Sequence, residues 1–428
     1  MKKVIIITAF FFTKQLFAQE NMHPAPAQSQ PIAITNAVVH IGNGRVIENG
    51  MIVFSNGKIT DVRSTAPIAD IKVIDAKGKH VYPGLIASST NLGLVEVPTV
   101  KSTVDFTEVG DINASIHSIY AYNTDSKVIN TLRSNGILLA NIFPSGGSIS
   151  GASSVVQLDA WNWEDAAYKI DNGIHYNMPS LSMRPGRRGS GNDDALKYAF
   201  ERIESTRNFF REAKTYLMQV QHTAVNLKYE AVKGLFNQSQ VFFVHCNLVK
   251  EMMMAIDIAN EFGFKLVLVG GSDSWLIADI LKQNNAGVIL SKIHESPSSD
   301  DDAIDQPYTT AASLQKAGVV FTVCDDSFRG FWRQRNLPFM AGTMAAYGLT
   351  KEEALSVLTL NAAKLLGIDN VTGTLEKGKD ANIVISEGDI LDMRTSKITN
   401  AFIQGREIDL DNKQTQLFEK YKYKYGIK

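Results

Sequence analysis

The stretch VFFVHCNLVKEMMMAIDIANEFGFKLVLVGG, residues 241–271, contains the unit from which we predict the fold. Its first five residues have the composition of a buried strand, and apolar residues recur at helical spacing after Asn247. Gly263 is placed to end that helix, because glycine readily adopts the left-handed conformation found after helices. The run KLVLVGG then predicts a second strand. This strand–helix–strand order is typical of a parallel sheet.

The same alternation extends in both directions from this unit. Downstream, GVILS (287–291) and VVFTVCDD (319–326) predict two further strands with helices before them. Upstream, strands are predicted in VYPGLIASS, GILLANIFP and SSVVQLDAW. About seven strands alternating with helices favour an α/β fold with a closed, TIM-like (β/α)8 barrel over residues 83–369. The alternative is an open, doubly wound sheet.

Two β-rich segments bracket the predicted barrel. Residues 32–82 contain short β-branched runs separated by turn signals such as Asn56-Gly57, a dipeptide typical of hairpins. Similar sequence returns in residues 370–410. Because an isolated hairpin is only marginally stable in water, we expect the two segments to form one small β-sandwich domain built from both termini. Residues 411–428 are expected to form a charged C-terminal helix or tail.

The beginning of the chain predicts export. Lys2 and Lys3 precede the apolar run VIIITAFFF, and the small residue Ala18 is placed for cleavage, as in a secretory signal peptide. We expect residues 1–18 to be removed and the protein to be exported, into the periplasm if the cell is Gram-negative. Residues 19–31 are polar and Pro-rich and are expected to be a flexible linker.

Composition argues against two classes of partner. The chain has 43 Lys and Arg residues against 44 Asp and Glu residues, so no basic surplus indicates nucleic-acid binding. No segment after the signal peptide has the length and apolarity of a membrane span, so no membrane contact is expected after cleavage. Cys246 and Cys324 lie in apolar runs and are expected to be reduced core residues.

Several motifs resemble the amidohydrolase superfamily, in particular its imidazolonepropionase-like and prolidase-like exported members. They are Pro83-Gly84 at the start of the first barrel strand, GGSISGASSVVQLDAW (146–161) and NLPFMAGTMAAYGLTKEEALSVLTLNAAKLLGI (336–368). The resemblance covers nearly the whole mature chain. It implies a hydrolase of carbon–nitrogen bonds in cyclic amides or peptide-like substrates. It also implies one or two divalent metal ions, usually zinc, that convert bound water into hydroxide.

The first metal-binding motif of that family is altered in this chain. The family's DxHxH sequence corresponds here to Ala87-Ser88-Ser89-Thr90-Asn91. Ser89 and Asn91 replace the two histidines, and their neutral oxygens are poor zinc ligands. The resemblance therefore implies a degenerate centre that holds no metal or at most one divalent ion.

Two residues remain as candidates for the catalytic and metal-binding roles. The resemblance matches His245 with the family's strand-five histidine and Asp326 with its strand-eight aspartate, which contacts metal and handles the proton of the attacking water. The alternatives are a hydrogen-bonded core histidine and a helix cap formed by Asp325 or Asp326, only one of which can face the barrel mouth. The candidate substrate-binding residues are Ser89, Asn91, Ser272, Asp273, His294 and Arg329.

Three functional hypotheses remain open from the sequence. The first is an exported hydrolase with at most one metal ion, held by His245 and Asp326. The second is a catalytically inactive barrel that binds a ligand or pairs with a related amidohydrolase. In the third, Ser89 is the nucleophile and His245 its base. Each takes a small-molecule substrate or ligand, and the resemblance implies a possible homodimer. The sequence assigns no role to His40, His80 or His175.

Overall fold

The structure is a computed structural model that describes residues 23–66, 71–182, 191–291, 293–325 and 330–427. Two hydrogen-bonded sheets organise these residues. One sheet contains strands from both ends of the chain. Its strands are β1 (Ile32–His40), β2 (Val46–Ser55), β3 (Lys58–Ser64), β4 (Lys72–Asp75), β5 (His80–Pro83), β14 (Ile383–Ser386), β15 (Ile398–Ile403) and β16 (Arg406–Glu407).

The other sheet is formed by consecutive strands from the middle of the chain, which lie side by side in sequence order. They are β6 (Leu85–Thr90), β7 (Ile137–Ile142), β8 (Ile149–Gln157), β9 (Ala167–Asn177), β10 (Val241–Cys246), β11 (Lys265–Gly270), β12 (Gly287–Leu290) and β13 (Phe321–Val323).

Helices pack against these sheets and connect the later barrel strands. They are α1 (Lys127–Arg133), α2 (Trp163–Ala166), α3 (Gly191–Leu217), α4 (Leu227–Ala231), α5 (Lys233–Phe236), α6 (Val249–Phe262), α7 (Ala278–Gln283), α8 (Gln306–Ala317), α9 (Gly330–Arg333), α10 (Leu337–Ala346), α11 (Lys351–Ser356), α12 (Ala362–Leu366) and α13 (Lys413–Tyr425). In the described parts of the chain, no helix combines the length and the apolarity needed to cross a bilayer.

The barrel sheet is nearly closed, which confirms the predicted TIM-like fold. Side chains bridge its first and last strands: the hydroxyl of Ser88 on β6 donates to the carbonyl of Val323 on β13 at 3.2 Å. The amide nitrogen of Gln334, a fully buried residue, donates to the carbonyls of Ser89 and Asp325 at 3.1 and 2.9 Å. These bonds hold the ends of β6 and β13 together.

One strand departs from the parallel pattern. β8 runs antiparallel to both β7 and β9, whereas the pairs from β9 to β13 are parallel, as is β6 with β7. The reason is the short connection between β7, which ends at Ile142, and β8, which begins at Ile149. A parallel neighbour needs a crossover of a dozen or more residues, so a connection this short forces the chain to turn back.

Alternate residues of the barrel strands face the interior. Inward side chains such as Val155, Phe243 and Ile289 form one apolar cluster, which also contains Leu366 of α12. Their neighbours along the strands, such as Phe242, pack outward with the surrounding helices in a separate cluster. This division shows which residues of each barrel strand point into the barrel.

The terminal sheet joins the two β-rich segments directly. β5 pairs antiparallel with β14, with Tyr82 opposite Val384. The predicted turn at Asn56-Gly57 connects β2 to β3 with φ values of 50° and 77°, the left-handed conformation that a tight hairpin turn requires. Cys246 and Cys324 are both buried and form no disulfide, as predicted from the sequence.

Residues 23–31 are the described part of the segment for which a flexible linker is predicted. The segment has no regular secondary structure, but its polar groups are bonded to the rest of the protein. The backbone N–H of Ala25 donates to the buried Asp159 carboxylate at 2.9 Å, and Gln28 donates to the carbonyl of Phe54 at 3.0 Å. The predicted signal peptide, residues 1–18, lies outside the described residues.

Candidate functional site

The candidate site lies inside the barrel, near the edge where its parallel strands end. Function in barrels of this type gathers at the carboxyl ends of the strands. Here β6, β9 and β10 end at that edge, and the antiparallel β8 begins there. The side chains that converge inside include two histidines from the neighbouring strands β9 and β10.

His175 and His245 form a hydrogen-bonded pair. The Nδ1 atom of His175 lies 2.8 Å from the Nε2 atom of His245. His175 is fully buried between two aromatic rings, with Phe143 stacked on one face at 4.6 Å and Phe243 on the other at 4.7 Å between ring centroids. These contacts fix the orientation of the His175 ring.

Burial keeps both imidazoles neutral. It lowers the pKa of His245 to about 4, because a charged ring would lose its hydration. Burial, and secondarily the neighbouring His245, lowers the pKa of His175 well below its ordinary value. One neutral ring therefore donates its proton to the other. The Nε2 atom of His175 has no partner in the described part of the chain.

Ser89 and Asn91 lie at the end of β6, where the resemblance expected metal-binding histidines. Asn91 is already engaged, because its side-chain amide donates to the carbonyl of Phe143 at 2.8 Å. The hydroxyl of Ser89 is buried and bonded to no described residue. The hypothesis of Ser89 as a nucleophile requires a hydrogen bond to His245, and the structure shows none; the described partner of His245 is His175.

The other candidate binding residues lie around the mouth in separate contacts. The hydroxyl of Ser272 donates to Asn247 at 2.9 Å, and burial raises the pKa of the adjacent Asp273 carboxyl. His294 is exposed, and its Nε2 atom lies 2.7 Å from the Thr343 hydroxyl. In the described structure, none of these three side chains is hydrogen-bonded to His175 or His245.

Two aspartates follow β13, and only the first of them, Asp325, is among the described residues. Asp325 forms an ion pair with Arg333, with 3.0 Å between Oδ2 and Nε. Asp326, predicted to act in catalysis and metal binding, lies outside the described residues, as does the predicted ligand-binding Arg329. Their predicted roles stay predictions.

The described side chains do not fit the metal centre implied by the resemblance. No group of three His, Cys, Asp or Glu residues is arranged to hold a metal ion within the described ranges. The Nε2 atom of His245 is bonded to His175, and the amide of Asn91 to a backbone carbonyl. Zinc prefers three or four nitrogen, sulfur or carboxylate ligands, and this arrangement offers fewer.

Sequence reasoning found His245 but missed the residues that surround it. β9 was not predicted, because its sequence AYKIDNGIHYN mixes polar and apolar residues and contains an internal Asp-Asn-Gly turn signal. Without β9, His175 had no visible partner. The alternation Gly173, His175, Asn177 beside a following apolar strand was the only signal for an inward histidine.

Comparisons with known proteins agree with this fold. The Amidohydrolase family matches residues 212–409. The imidazolonepropionase of Thermoplasma volcanium is 23% identical over 383 residues, which cover 86% of this chain and 88% of that protein. The imidazolonepropionase of Streptococcus gordonii is 24% identical over 373 residues, covering 81% and 86%. The crystal structure of an amidohydrolase from Thermotoga maritima superposes with a TM-score of 0.76 at 23% identity, covering 88% of this chain and 99% of that chain.

Proposed function

We propose that this chain, a member of the amidohydrolase superfamily, hydrolyses carbon–nitrogen bonds in small cyclic amides or peptide-like molecules, and that its metal centre is degenerate and not used in the reaction. The likeness to proteins named imidazolonepropionase, which extends over most of the chain, supports the reaction class. The single observation that carries the proposal is the neutral His175–His245 pair inside the barrel.

The histidine pair can move a proton during amide hydrolysis. The Nε2 atom of His175 is free to accept a proton from water as the water oxygen attacks the amide carbon. In that step the Nδ1 proton of His175 points to the Nε2 atom of His245, which stabilises the charge that develops on the ring. The proton taken from water then passes from His175 Nε2 to the leaving nitrogen as the carbon–nitrogen bond breaks.

Burial limits how strong this base can be. The low pKa of both rings means that neither holds a proton readily at neutral pH. A water molecule activated by such a weak base reacts more slowly than one bound to zinc, whose pKa approaches 7. We therefore expect slow turnover that does not depend on a bimetallic centre, with the Ser89 hydroxyl available as a hydrogen-bonding group at the end of β6.

We also propose that the protein works after export. The leader-like sequence of residues 1–18 supports this proposal. The expected partner is a small molecule, with neither nucleic acid nor a membrane involved, and a homodimer or a pair with a related amidohydrolase is the expected assembly. Sequencing the amino terminus of the protein recovered from its native cell tests the cleavage, and a chain that begins at Met1 would contradict export by this route.

The experiment that tests the hydrolase proposal measures product release. The mature chain is incubated with a panel of cyclic amides and dipeptides, with and without a strong chelator, alongside His175→Ala. We expect slow hydrolysis that the chelator leaves unchanged and that His175→Ala abolishes. Hydrolysis that survives in His175→Ala would contradict the role of the pair, and no hydrolysis of any compound would contradict the hydrolase proposal.

A second function is supported by the buried polar atoms of the barrel. Besides His175, the side chains of Asn141 and Thr322 are fully buried and bonded to no described residue. Buried polar groups normally have partners, so these atoms favour recognition of a bound ligand. A catalytically inactive ligand-binding barrel would bind members of the same panel and release no product.

A further inference from the structure

Asn141 is a fully buried carboxamide near the carboxyl end of a barrel strand. It lies on β7, and neither its amide nitrogen nor its carbonyl oxygen has a hydrogen-bond partner within the described residues. Its register partner on β8 is Val155, whose side chain belongs to the inward apolar cluster. Residues paired across a sheet point to the same side, so the Asn141 amide faces the barrel interior.

Two other polar residues occupy equivalent positions on their strands. His175 is paired with Phe243 and Thr322 with Ile289, and both partners belong to the same inward cluster. The Nε2 atom of His175 and the hydroxyl of Thr322 also lack a partner in the described structure. Three strands therefore direct polar groups into one apolar interior. An unpaired buried polar group lowers stability, so a chain that keeps three of them favours a role in binding.

Asn141 lies close along the chain to an aromatic ring that contacts the histidine pair. Phe143 follows two residues later on the same chain segment, and its ring stacks on His175 with 4.6 Å between centroids. The strand that carries Asn141 therefore leads directly into the aromatic ring that contacts the histidine pair. Both rings of the pair are neutral because burial depresses their pKa values, so an uncharged ligand group fits this environment.

The shape of a carboxamide restricts which ligands it can pair with. Its oxygen accepts and its nitrogen donates along one edge, in one plane. A cyclic amide is held in the cis form by its ring, so its N–H and C=O also share one edge and can form two hydrogen bonds with that carboxamide. An ordinary peptide bond is trans, with its N–H and C=O on opposite edges, and can form only one.

We propose that Asn141 recognises the N–H and C=O edge of a cyclic amide, such as a lactam or cyclic urea, and that the site thereby discriminates against trans peptide bonds. This inference rests on the proposed function, because it assumes that the barrel takes amide substrates. It selects the cyclic class over the peptide-like class.

The test compares three amide probes that present different hydrogen-bonding edges. Full-length mature protein is titrated by NMR with 2-piperidinone, with N-methyl-2-piperidinone, which lacks the N–H, and with N-methylacetamide, a trans amide. Each competitor loses one of the two hydrogen bonds, so we expect each to bind about tenfold more weakly than 2-piperidinone. Equal affinity for the three probes would overturn the inference.

Asn141→Leu is the decisive variant. Leucine has a similar volume and removes an unpaired polar group from an apolar interior, so the variant is expected to fold with an unfolding midpoint no lower than that of the parent. It should lose the preference for 2-piperidinone. The control is Asn172→Leu, which changes another fully buried asparagine, on β9, whose side-chain oxygen accepts from the Ser153 hydroxyl; it should keep the preference. A preference that persists in Asn141→Leu would contradict the assignment.

The two proposals fail in different ways. Binding of 2-piperidinone that depends on Asn141, in a protein that hydrolyses nothing, would contradict the hydrolase proposal and support this inference. Hydrolysis that proceeds equally well in the parent and in Asn141→Leu, with no preference among the probes, would overturn this inference and leave the hydrolase proposal standing.

Discussion

Two pairs of hydrogen-bonded histidines occur among the described residues, and they differ in what surrounds them. His175 and His245 meet inside the barrel at 2.8 Å, between aromatic rings. His40 and His80 meet at 3.0 Å, where the end of β1 and the start of β5 approach α11. The second pair has a carboxylate beside it: His40 Nδ1 lies 2.6 Å from an oxygen of Glu352.

The carboxylate determines what each pair can do. Both ring nitrogens of His40 are engaged, one by Glu352 and one by His80, and the ring also stacks on Tyr82 at 4.4 Å. This pair therefore fastens the terminal sheet to α11 and has little capacity left for chemistry at His40. The barrel pair has no such carboxylate partner among the described residues, and it leaves one nitrogen of His175 free. The two pairs thus differ in the ring nitrogens that do not take part in the histidine–histidine hydrogen bond. In the His40 pair such a nitrogen is bonded to Glu352, whereas in the barrel pair the Nε2 atom of His175 has no described partner.

The largest expected difference between the pairs is in turnover. His245→Ala removes the acceptor that stabilises the developing charge on His175, so we expect the rate of amide hydrolysis to fall at least about 100-fold, the lower range for loss of acid–base catalysis. His40→Ala is the matched control, and its rate should stay within about twofold of the parent, since no described contact links it to the barrel pair. Steady-state kinetics at pH 7 measures both. If the two variants lost the same fraction of the hydrolysis rate, the barrel pair would have no catalytic role that the outer pair lacks.

The second difference is in the pH dependence of stability. Burial holds the folded-state pKa of His245 near 4, below the ordinary value of about 6.5 that applies when the chain unfolds. Between those values the unfolded chain binds a proton that the folded protein does not. Above pH 6.5 the free energy of unfolding therefore contains the full contribution of the neutral His245 ring. That contribution is lost as the pH falls towards 4, which lowers the free energy of unfolding by about 3 kcal/mol.

Urea unfolding at several pH values checks this expectation. In His245→Gln the free energy of unfolding should fall less between pH 6.5 and 4 than in the parent, because glutamine does not titrate, and the fall that remains comes in part from the buried His175. His40→Ala, in contrast, should keep most of the parent's slope in that range. If the free energy of unfolding depended on pH in the same way in His245→Gln and in the parent, burial would not be holding the His245 ring neutral.

The smallest expected effect concerns the outer pair. His40→Ala leaves Glu352 without its described partner and opens space beside Tyr82, so we expect the free energy of unfolding at pH 7 to fall by about 1–3 kcal/mol. His40→Gln can still donate a hydrogen bond to the carboxylate and should recover part of that loss. If both variants are as stable as the parent, the outer pair does not fasten the sheet to α11.

Local signals in the sequence predicted much of the fold. The capping pair Thr350 and Glu353 marks the start of α11, and Gly263 ends α6 with a φ of 76°. These features depend on residues a few positions apart, which is why a single sequence reveals them. The reversed direction of β8 follows from a short connection, but the sequence was interpreted as a uniform alternation of strands and helices, so this strand direction was missed.

The site was less predictable because its contacts join distant residues. His245 was found because it ends an apolar strand, whereas His175 is 70 positions away along the chain. Asn141 carries no motif, and its burial without a partner is visible only once β7 and β8 are paired. Hydrogen bonds formed between strands far apart in sequence leave no local pattern to interpret.

The central proposal is that the barrel has the amidohydrolase fold while its two inner histidines bind each other instead of a metal ion. Elemental analysis of the purified mature protein, after dialysis against zinc at neutral pH and removal of loosely bound ions, tests it most directly. The account predicts zinc well below one ion per chain, with no change when His245 is replaced by alanine. One or two zinc ions per chain, lost in His245→Ala, would contradict it.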